Sequence, residues 1–355
     1  MIVNYNGWDD VLRLVSVLAR APEVVAGTCD VVVVDNASDG TIPPEFAMPE
    51  PGVRLIVRRE NGGFAAGVNA GWRTSQSPWL LVLNPDVAPC SDLLGRVLER
   101  IERFTNRPAP PGIVGFGLRN ADGSRQPSVG AFPSLARSLW GQLIPRNRRK
   151  YQAGWRTRSG QVPWVTGACV LLNARMMEQL GGMDEDFFLY YEEVALCHAA
   201  QRLGWRVEYD PSVEVVHLRP LQNRRLTPEM RVITRHSKLL YFRKHLPRWQ
   251  FQSLARIVAG EARLRGLWAS LWRRTFELRA WRLIGRLARA MRLGSRLGGP
   301  SVRMLAESVA QPEQPILSDG QIPAQRAARP LPALPGRGPH LNRRVQLRKD
   351  GPECH

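Results

Sequence analysis

The chain has 355 residues, 44% of them hydrophobic, and a formal net charge of +19, enough for one large domain or two ordinary ones with a real core. The charge points to an anionic partner: nucleic acid, a phosphorylated ligand or an acidic membrane surface. The cysteines at 29, 90, 169, 197 and 354 form no CxxC pair and no regular framework, which reads as reduced thiols in a cytosolic protein. No apolar h-region precedes Asp9 and Asp10, and no uncharged apolar run is long enough to cross a bilayer, so neither a secretory leader nor a spanning helix is expected.

In chain order, Met1–Tyr5 reads as a short apolar strand closed by an Asn6-Gly7 turn. Asp9 or Asp10 can cap a helix running to Arg20, with Val11, Leu14, Val15 and Leu18 on one face. The valine run over Cys29–Val34 predicts a strand covered on both faces. Val53–Val57 and Trp79–Leu83 predict further strands, with a helix over Gly67–Thr74 between them. This alternation implies an open α/β sheet with right-handed crossovers, whose ligands bind at the carboxyl ends of the strands. Polar residues fall at those ends: Asn4–Asn6, Asp35-Asn36 and Asn84-Pro85-Asp86.

The loop Asn61–Gly67 is glycine-rich, but its spacing is not GxGxxG and it follows the third predicted strand. No P-loop ending exists either, so dehydrogenase and P-loop nucleotidase readings are weak. The glycines permit close backbone approach to a ligand, or simply a tight loop. Asp86, held after a buried strand by Pro85, could bridge a hard cation to a pyrophosphate, or could only start a turn. Asn106–Pro111 reads as a connection and Ile113–Leu118 as a strand. Residues 119–160 read as irregular; Arg137, Arg146, Arg148, Arg149 and Lys150 fit either an acceptor-side loop or a solvated one.

From Val165 to Leu218 an apolar strand leads through Gly181-Gly182 to an acidic, aromatic cluster, then a helix and a strand ending at His217. Glu192 and Glu193 sit beside Phe187, Phe188, Tyr190 and Tyr191. Such carboxylates can serve as a general base, or can merely complement a helix dipole. After Trp249, apolar positions including Leu254, Val258, Leu264, Trp268 and Trp272 recur at helical spacing among arginines. This describes basic amphipathic helices over 248–298, joined near Gly266, that bind a membrane interface or pack on the catalytic domain. No recognition motif or stacking platform accompanies the charge, so nucleic acid is not expected as a partner. Residues 299–355, rich in Pro, Gln, Gly and Arg toward their end, are expected to form a disordered tail.

The stretches VNYNG, VVVVDNAS, ENGGFAAGVNAG and LNPDV resemble the family 2 glycosyltransferases. VTGACVLL, GGMDEDFFLYYEEVALC, GWRVEYDPSVEVVHL and RHSKLLYFRKH resemble that family's rhamnosyltransferase-like branch, and the likeness spans 1–247. It implies a GT-A (Rossmann-like), mostly parallel central sheet flanked by helices, with a nucleotide-sugar half over 1–105 and an acceptor half over 106–247. It assigns Tyr5, Asp35, Asn36, Asn61, Gly62, Asn69 and Asp86 to the donor, and Asp86 with His217 to a divalent metal, Mg2+ or Mn2+. His217 remains open to a purely structural role. Glu193 takes the catalytic-base position, where Asp is usual; Asn84 and Ala195 stand where acids are common. The implied reaction is inverting transfer of a sugar such as rhamnose from a nucleotide-diphospho-sugar. The acceptor would be a cell-envelope glycan or lipid-linked, and the enzyme peripheral on the inner face of the cell membrane. The competing reading is a degenerate domain that binds nucleotide or membrane without transfer.

Overall fold

The computed structural model describes residues 1–47, 50–90, 92–140, 159–219 and 226–310. The main sheet orders its strands as Val53–Val57, Val31–Asp35, Ile2–Asn4, Trp79–Leu83, Cys169–Asn173, Ile113–Arg119, Val207–His217 and Val87–Pro89. Its first half comprises β1 (Ile2–Asn4), β2 (Val31–Asp35), β3 (Val53–Val57) and β4 (Trp79–Leu83), all parallel. The second half adds β5 (Val87–Pro89), β6 (Ile113–Arg119), β11 (Cys169–Asn173) and β12 (Val207–His217). β11 runs antiparallel to both β4 and β6, β12 is parallel to β6, and β5 is antiparallel to β12. The fold is therefore mixed α/β with a mostly parallel central sheet flanked by helices, as expected.

Every residue of β2 and β11 is buried, which is why both read as uninterrupted apolar runs. Alternation still sorts their side chains: Val170 and Leu172 face one core, Cys169 and Leu171 the other. Because β1, β2, β4 and β12 run one way, Asn4, Asp35, Asn84 and His217 end at one edge. Antiparallel β11 begins at that edge, and β5 begins beside Asp86.

The first helix spans Trp8–Leu18 and is capped at Gly7, without side-chain capping by an aspartate. Asp10 is instead buried and paired with Arg13 and Arg219. After a short helix at Pro22–Val25, the helix expected from Gly67 begins a turn earlier, at Phe64, because Gly63 at φ +93° turns the chain into it. Part of the irregular middle is ordered: β7 (Arg125–Gln126), β8 (Val129–Gly130) and a helix over Leu135–Trp140. Arg146, Arg148, Arg149 and Lys150 lie outside the described residues.

The C-terminal helices span Pro228–His245, Arg248–Leu271, Thr275–Arg292 and Gly299–Glu307. The joint lies at Trp272–Arg274, where Arg273 adopts φ +51°, not near Gly266, which sits inside a helix. Residues 299–307, expected to begin the tail, form a helix instead. Val302 and Ala306 are fully buried, and Gly299 packs so closely on Glu185 that an added Cβ would lie 2.8 Å from its carbonyl oxygen. The tail from 311 onward lies outside the described residues. No helix among the described residues is long and apolar enough to cross a membrane.

Candidate active site

The carboxyl edge of β1–β3 carries a hydrogen-bonded polar rim. Asn4, buried at the end of β1, donates its amide to Asp35 Oδ1 at 3.0 Å and to Ser38 Oγ at 3.1 Å. Asp35 also accepts from the Ser38 backbone N–H at 3.1 Å and hydroxyl at 2.6 Å. Asn36 donates to Asn61 Oδ1 at 2.8 Å and the Gly63 carbonyl at 2.9 Å, while its own Oδ1 accepts from Arg58. These bonds fix the side chains before a ligand arrives, as a preorganised binding site requires. Tyr5 is exposed above them. At Gly62 an added Cβ would come within 2.9 Å of Ala66 Cβ. Asn69 is buried and spends its side-chain hydrogen bonds on the acidic turn: it donates to the Met183 carbonyl at 2.8 Å and to Glu185 at 2.7 Å, and accepts from Met183 N–H at 2.8 Å.

The glycine loop meets the acidic, aromatic turn directly. Phe64 N–H donates to the Phe188 carbonyl at 3.0 Å, and a Cβ on Gly63 would lie 2.1 Å from that oxygen. Only glycine fits there, since both the contact and its φ of +93° exclude a side chain. Lys244 ties the turn down from the other side, with its ammonium 2.6 Å from both Asp184 and Asp186. Tyr190 and Tyr191 then take left-handed backbone at φ +69° and +71°. Each such tyrosine costs on the order of 1–3 kcal/mol, a strain that persists where surrounding contacts enforce it. Ser237 Oγ donates to the Leu189 carbonyl at 2.8 Å, and the rings of Tyr191 and Tyr241 pack 5.7 Å apart, supplying those contacts.

The two tyrosines launch the helix Glu192–Arg202. Glu192 is buried beneath the turn, whereas Glu193 is half-buried. Glu193 Cβ lies 3.8 Å from where a Gly167 Cβ would stand, and Phe64 borders the same point at 3.6 Å. The neighbouring Ala168 carbonyl accepts the Asn84 N–H at 3.0 Å. Glu193 and the Asn84–Asp86 turn therefore flank one short stretch of backbone. Ala195, where an acid would be common, is buried in the apolar core, and a carboxylate there would have to be desolvated. Cys169 and Cys197 are buried thiols pushed up to about 12 by desolvation, so neither supplies a nucleophile.

Asp86 and His217 also come together, with Asp86 Oδ1 3.3 Å from His217 Nε2 and both side chains largely buried. Among the described residues no group of three or more His, Cys, Asp or Glu side chains could hold a metal. The pair nevertheless fits Mg2+ or Mn2+ as a partial ligand set, because such ions complete their shell with water and substrate phosphates. The far nitrogen, His217 Nδ1, meets the Gln126 amide at 3.1 Å, and Gln126 Oε1 is buried with no hydrogen-bond partner among the described residues. Turning that amide over would let Oε1 accept Nδ1–H and leave the Nε2 lone pair facing a cation.

Sequence reasoning missed Gln126, Arg58 and Arg303. Arg303, from the helix Gly299–Glu307, donates to the Asn61 carbonyl at 3.3 Å and the Tyr5 hydroxyl at 3.1 Å. Its guanidinium lies 5.3 Å from the Tyr5 ring centroid, and Nε bonds Glu307 at 2.6 Å. No local pattern marks this residue; the available clue is the short run Val302, Leu305, Ala306 that buries one face of a helix.

A mostly parallel α/β sheet with a polar, preorganised carboxyl edge defines the class of open α/β proteins that bind ligands at that edge. The chain belongs to glycosyl transferase family 2, whose profile matches residues 1–181. It is a glycosyltransferase, and the family transfers a sugar from a nucleotide-sugar. The N-acetylglucosaminyl-diphospho-decaprenol L-rhamnosyltransferase of Mycobacterium tuberculosis is 29% identical over 239 residues, covering 61% of this chain and 74% of that protein. The low-salt glycan biosynthesis hexosyltransferase Agl10 of Haloferax volcanii is 26% identical over 274 residues, covering 73% of this chain and 81% of its own. Among solved structures, S. aureus TarS 1-349 in complex with UDP aligns with a TM-score of 0.48 at 12% identity, over 90% of this chain and 94% of that one.

Proposed function

We propose that the chain is an inverting glycosyltransferase that moves rhamnose, or a similar deoxysugar, from a nucleoside-diphospho-sugar to a lipid-linked or cell-envelope glycan at an anionic membrane surface. Tyr5, Asp35, Asn36, Asn61 and Gly62 hold the nucleoside end of the donor, and Asn69 braces the turn that faces it. Glu193 removes the proton of the acceptor hydroxyl as that oxygen attacks the anomeric carbon from the face opposite the leaving group. The bond from that carbon to the diphosphate oxygen breaks in the same displacement, and the diphosphate departs as an anion without a general acid. Asp86 and His217 would hold the divalent cation, which when bound offsets charge on the departing diphosphate.

What supports this reading is the shared strand edge, where Glu193 beside Gly167 and the Asn84–Asp86 turn flank the same backbone stretch. The mycobacterial relative's name, with its L-rhamnosyl donor and diphospho-decaprenol acceptor, favours rhamnose and a lipid-linked diphosphate. Release of nucleoside diphosphate from a panel of donors, with and without Mn2+ or Mg2+, tests the reaction. Glu193→Gln is expected to lower kcat roughly a hundredfold to ten-thousandfold while nucleoside diphosphate still binds. No turnover with any donor, or full turnover in the variant, would overturn the assignment.

A further inference from the structure

The helices Arg248–Leu271 and Thr275–Arg292 leave a groove of about 520 Å3 between them. Its floor is low because glycine stands on each side. A Cβ on Gly285 would meet Ala262 Cβ at 3.4 Å, and one on Gly266 would meet Trp281 Cβ at 3.8 Å. Arg263, Arg282, Arg286 and Arg289 line the groove, and among the described residues no acidic side chain does. Among the described residues no carboxylate pairs with Arg263, Arg282 or Arg286, in contrast to Arg235, which is bonded to Glu261 at 2.8 Å. The groove is thus apolar at its base and cationic at its rim.

Beside it runs an uncovered apolar stripe. Leu264, Leu267 and Leu271 are 71%, 65% and 80% exposed, at the spacing that puts them on one helix face. Trp268 and Trp272 continue it, with rings 6.0 Å apart and Arg274 over Trp268 at 4.8 Å. Leu267 belongs to both features, since it borders the groove as well. Cationic rim and apolar stripe therefore share an edge, the chemistry of an amphiphile whose charged head and hydrocarbon tail are adjacent.

We propose that this groove is a phospholipid site: the phosphate of an anionic membrane lipid sits between Arg263 and Arg282, and its acyl chains lie along Leu264, Leu267 and Leu271. The site rests on the membrane reading above but goes beyond it, because it assigns binding to one groove rather than to net charge. A nucleic-acid backbone would use the arginines but leave the leucine stripe uncovered.

The test is co-sedimentation of the full chain with phosphatidylcholine vesicles, with and without phosphatidylglycerol. Arg263→Gln with Arg282→Gln is compared with a charge-matched control, Arg103→Gln with Arg175→Gln, on the opposite part of the sequence. Anionic vesicles are expected to bind the wild type and the control alike, and the groove variant about thirtyfold more weakly. Gly266→Met fills the floor without changing charge and is expected to weaken binding as well. Equal losses in groove and control variants would overturn the site while leaving membrane binding intact. Failure of the wild type to bind anionic vesicles, whether it binds nothing or binds single-stranded RNA instead, would overturn the membrane reading and the site together. Unfolding midpoints near that of the wild type show that the variants are folded.

Discussion

Gln126 decides which nitrogen of His217 carries the proton. As drawn, its amide donates to Nδ1 at 3.1 Å, so Nε2 holds the hydrogen and faces Asp86 Oδ1 at 3.3 Å. That arrangement pairs histidine with aspartate but blocks a metal. The reversed amide satisfies the buried Oε1 and turns the imidazole into a ligand. The two orientations have the same shape, so on the proposed reading a bound cation would select one without moving the backbone. Gln126→Leu is therefore expected to weaken Mn2+ binding about tenfold to a hundredfold, while metal-free nucleoside diphosphate affinity stays constant. Gln126→Glu, which keeps an acceptor, is expected to retain the metal. Calorimetric titration of Mn2+ checks both, and an undiminished affinity in the leucine variant would remove Gln126 from the site.

At the scale of elements, the helix Pro228–His245 holds the connection to the last helix. His236 Nε2 meets the Leu297 carbonyl at 3.1 Å, and Arg243 donates to the Ser295 carbonyl at 2.6 Å. Burial lowers His236 from 6.5 to about 4, Arg243 and Lys244 adding to the effect while the Leu297 bond and Asp186 oppose it. His245 is likewise lowered to about 4, first by desolvation and then by His198. The unfolded chain thus takes up these protons before the folded chain does. Stability is fully present above pH 6.5 and falls as pH drops toward about 4. His236 alone accounts for about 3 kcal/mol at about 1.4 kcal/mol per unit. Urea unfolding across this window is expected to show the slope, and His236→Gln to flatten it while lowering stability at neutral pH; an unchanged slope in the variant would exclude His236. Strands such as Val53–Val57 and Trp79–Leu83 were legible because their alternation and apolar runs are local. Asn4, Asp35 and Asn84 were legible because each ends or directly follows a strand, whereas Arg58 was missed. The antiparallel insertion of β11 between β4 and β6 was not, since pairing direction leaves no mark on a strand buried on both faces. Nor was the joint at Trp272–Arg274, where an arginine rather than a glycine takes positive φ.

For the molecule as a whole, the two ends of the described chain meet at the polar rim. Tyr5 and Arg303 are 298 positions apart, yet the arginine donates to the tyrosine hydroxyl and covers its ring. The last helix is seated by Gly299 against Glu185 and Phe188, the same turn that contacts the glycine loop through Phe64. The polar rim, the acidic turn and the last helix consequently share one set of contacts, and on the proposed reading this would tie nucleotide binding to a segment beyond residues 1–181 of the family match. Arg303 adds a cation beside Tyr5 and Asn61, where an anionic nucleotide would bind on the proposed reading, and its present acceptors on the rim are neutral, apart from Glu307 on its own helix. Hydrogen bonds to a charged group are worth about 1.5–3 kcal/mol, so Arg303→Ala is expected to weaken nucleoside diphosphate binding about tenfold or more. Arg303→Lys keeps the charge but loses the planar fork, and is expected to recover only part of that affinity. Turnover at saturating donor should change far less than KM, because the contact lies away from Glu193 and the anomeric carbon. Calorimetry on the full chain, with unfolding midpoints as a control, separates the outcomes. Tighter binding in the alanine variant would mean that Arg303 obstructs the rim, and unchanged binding would mean that the last helix only packs there.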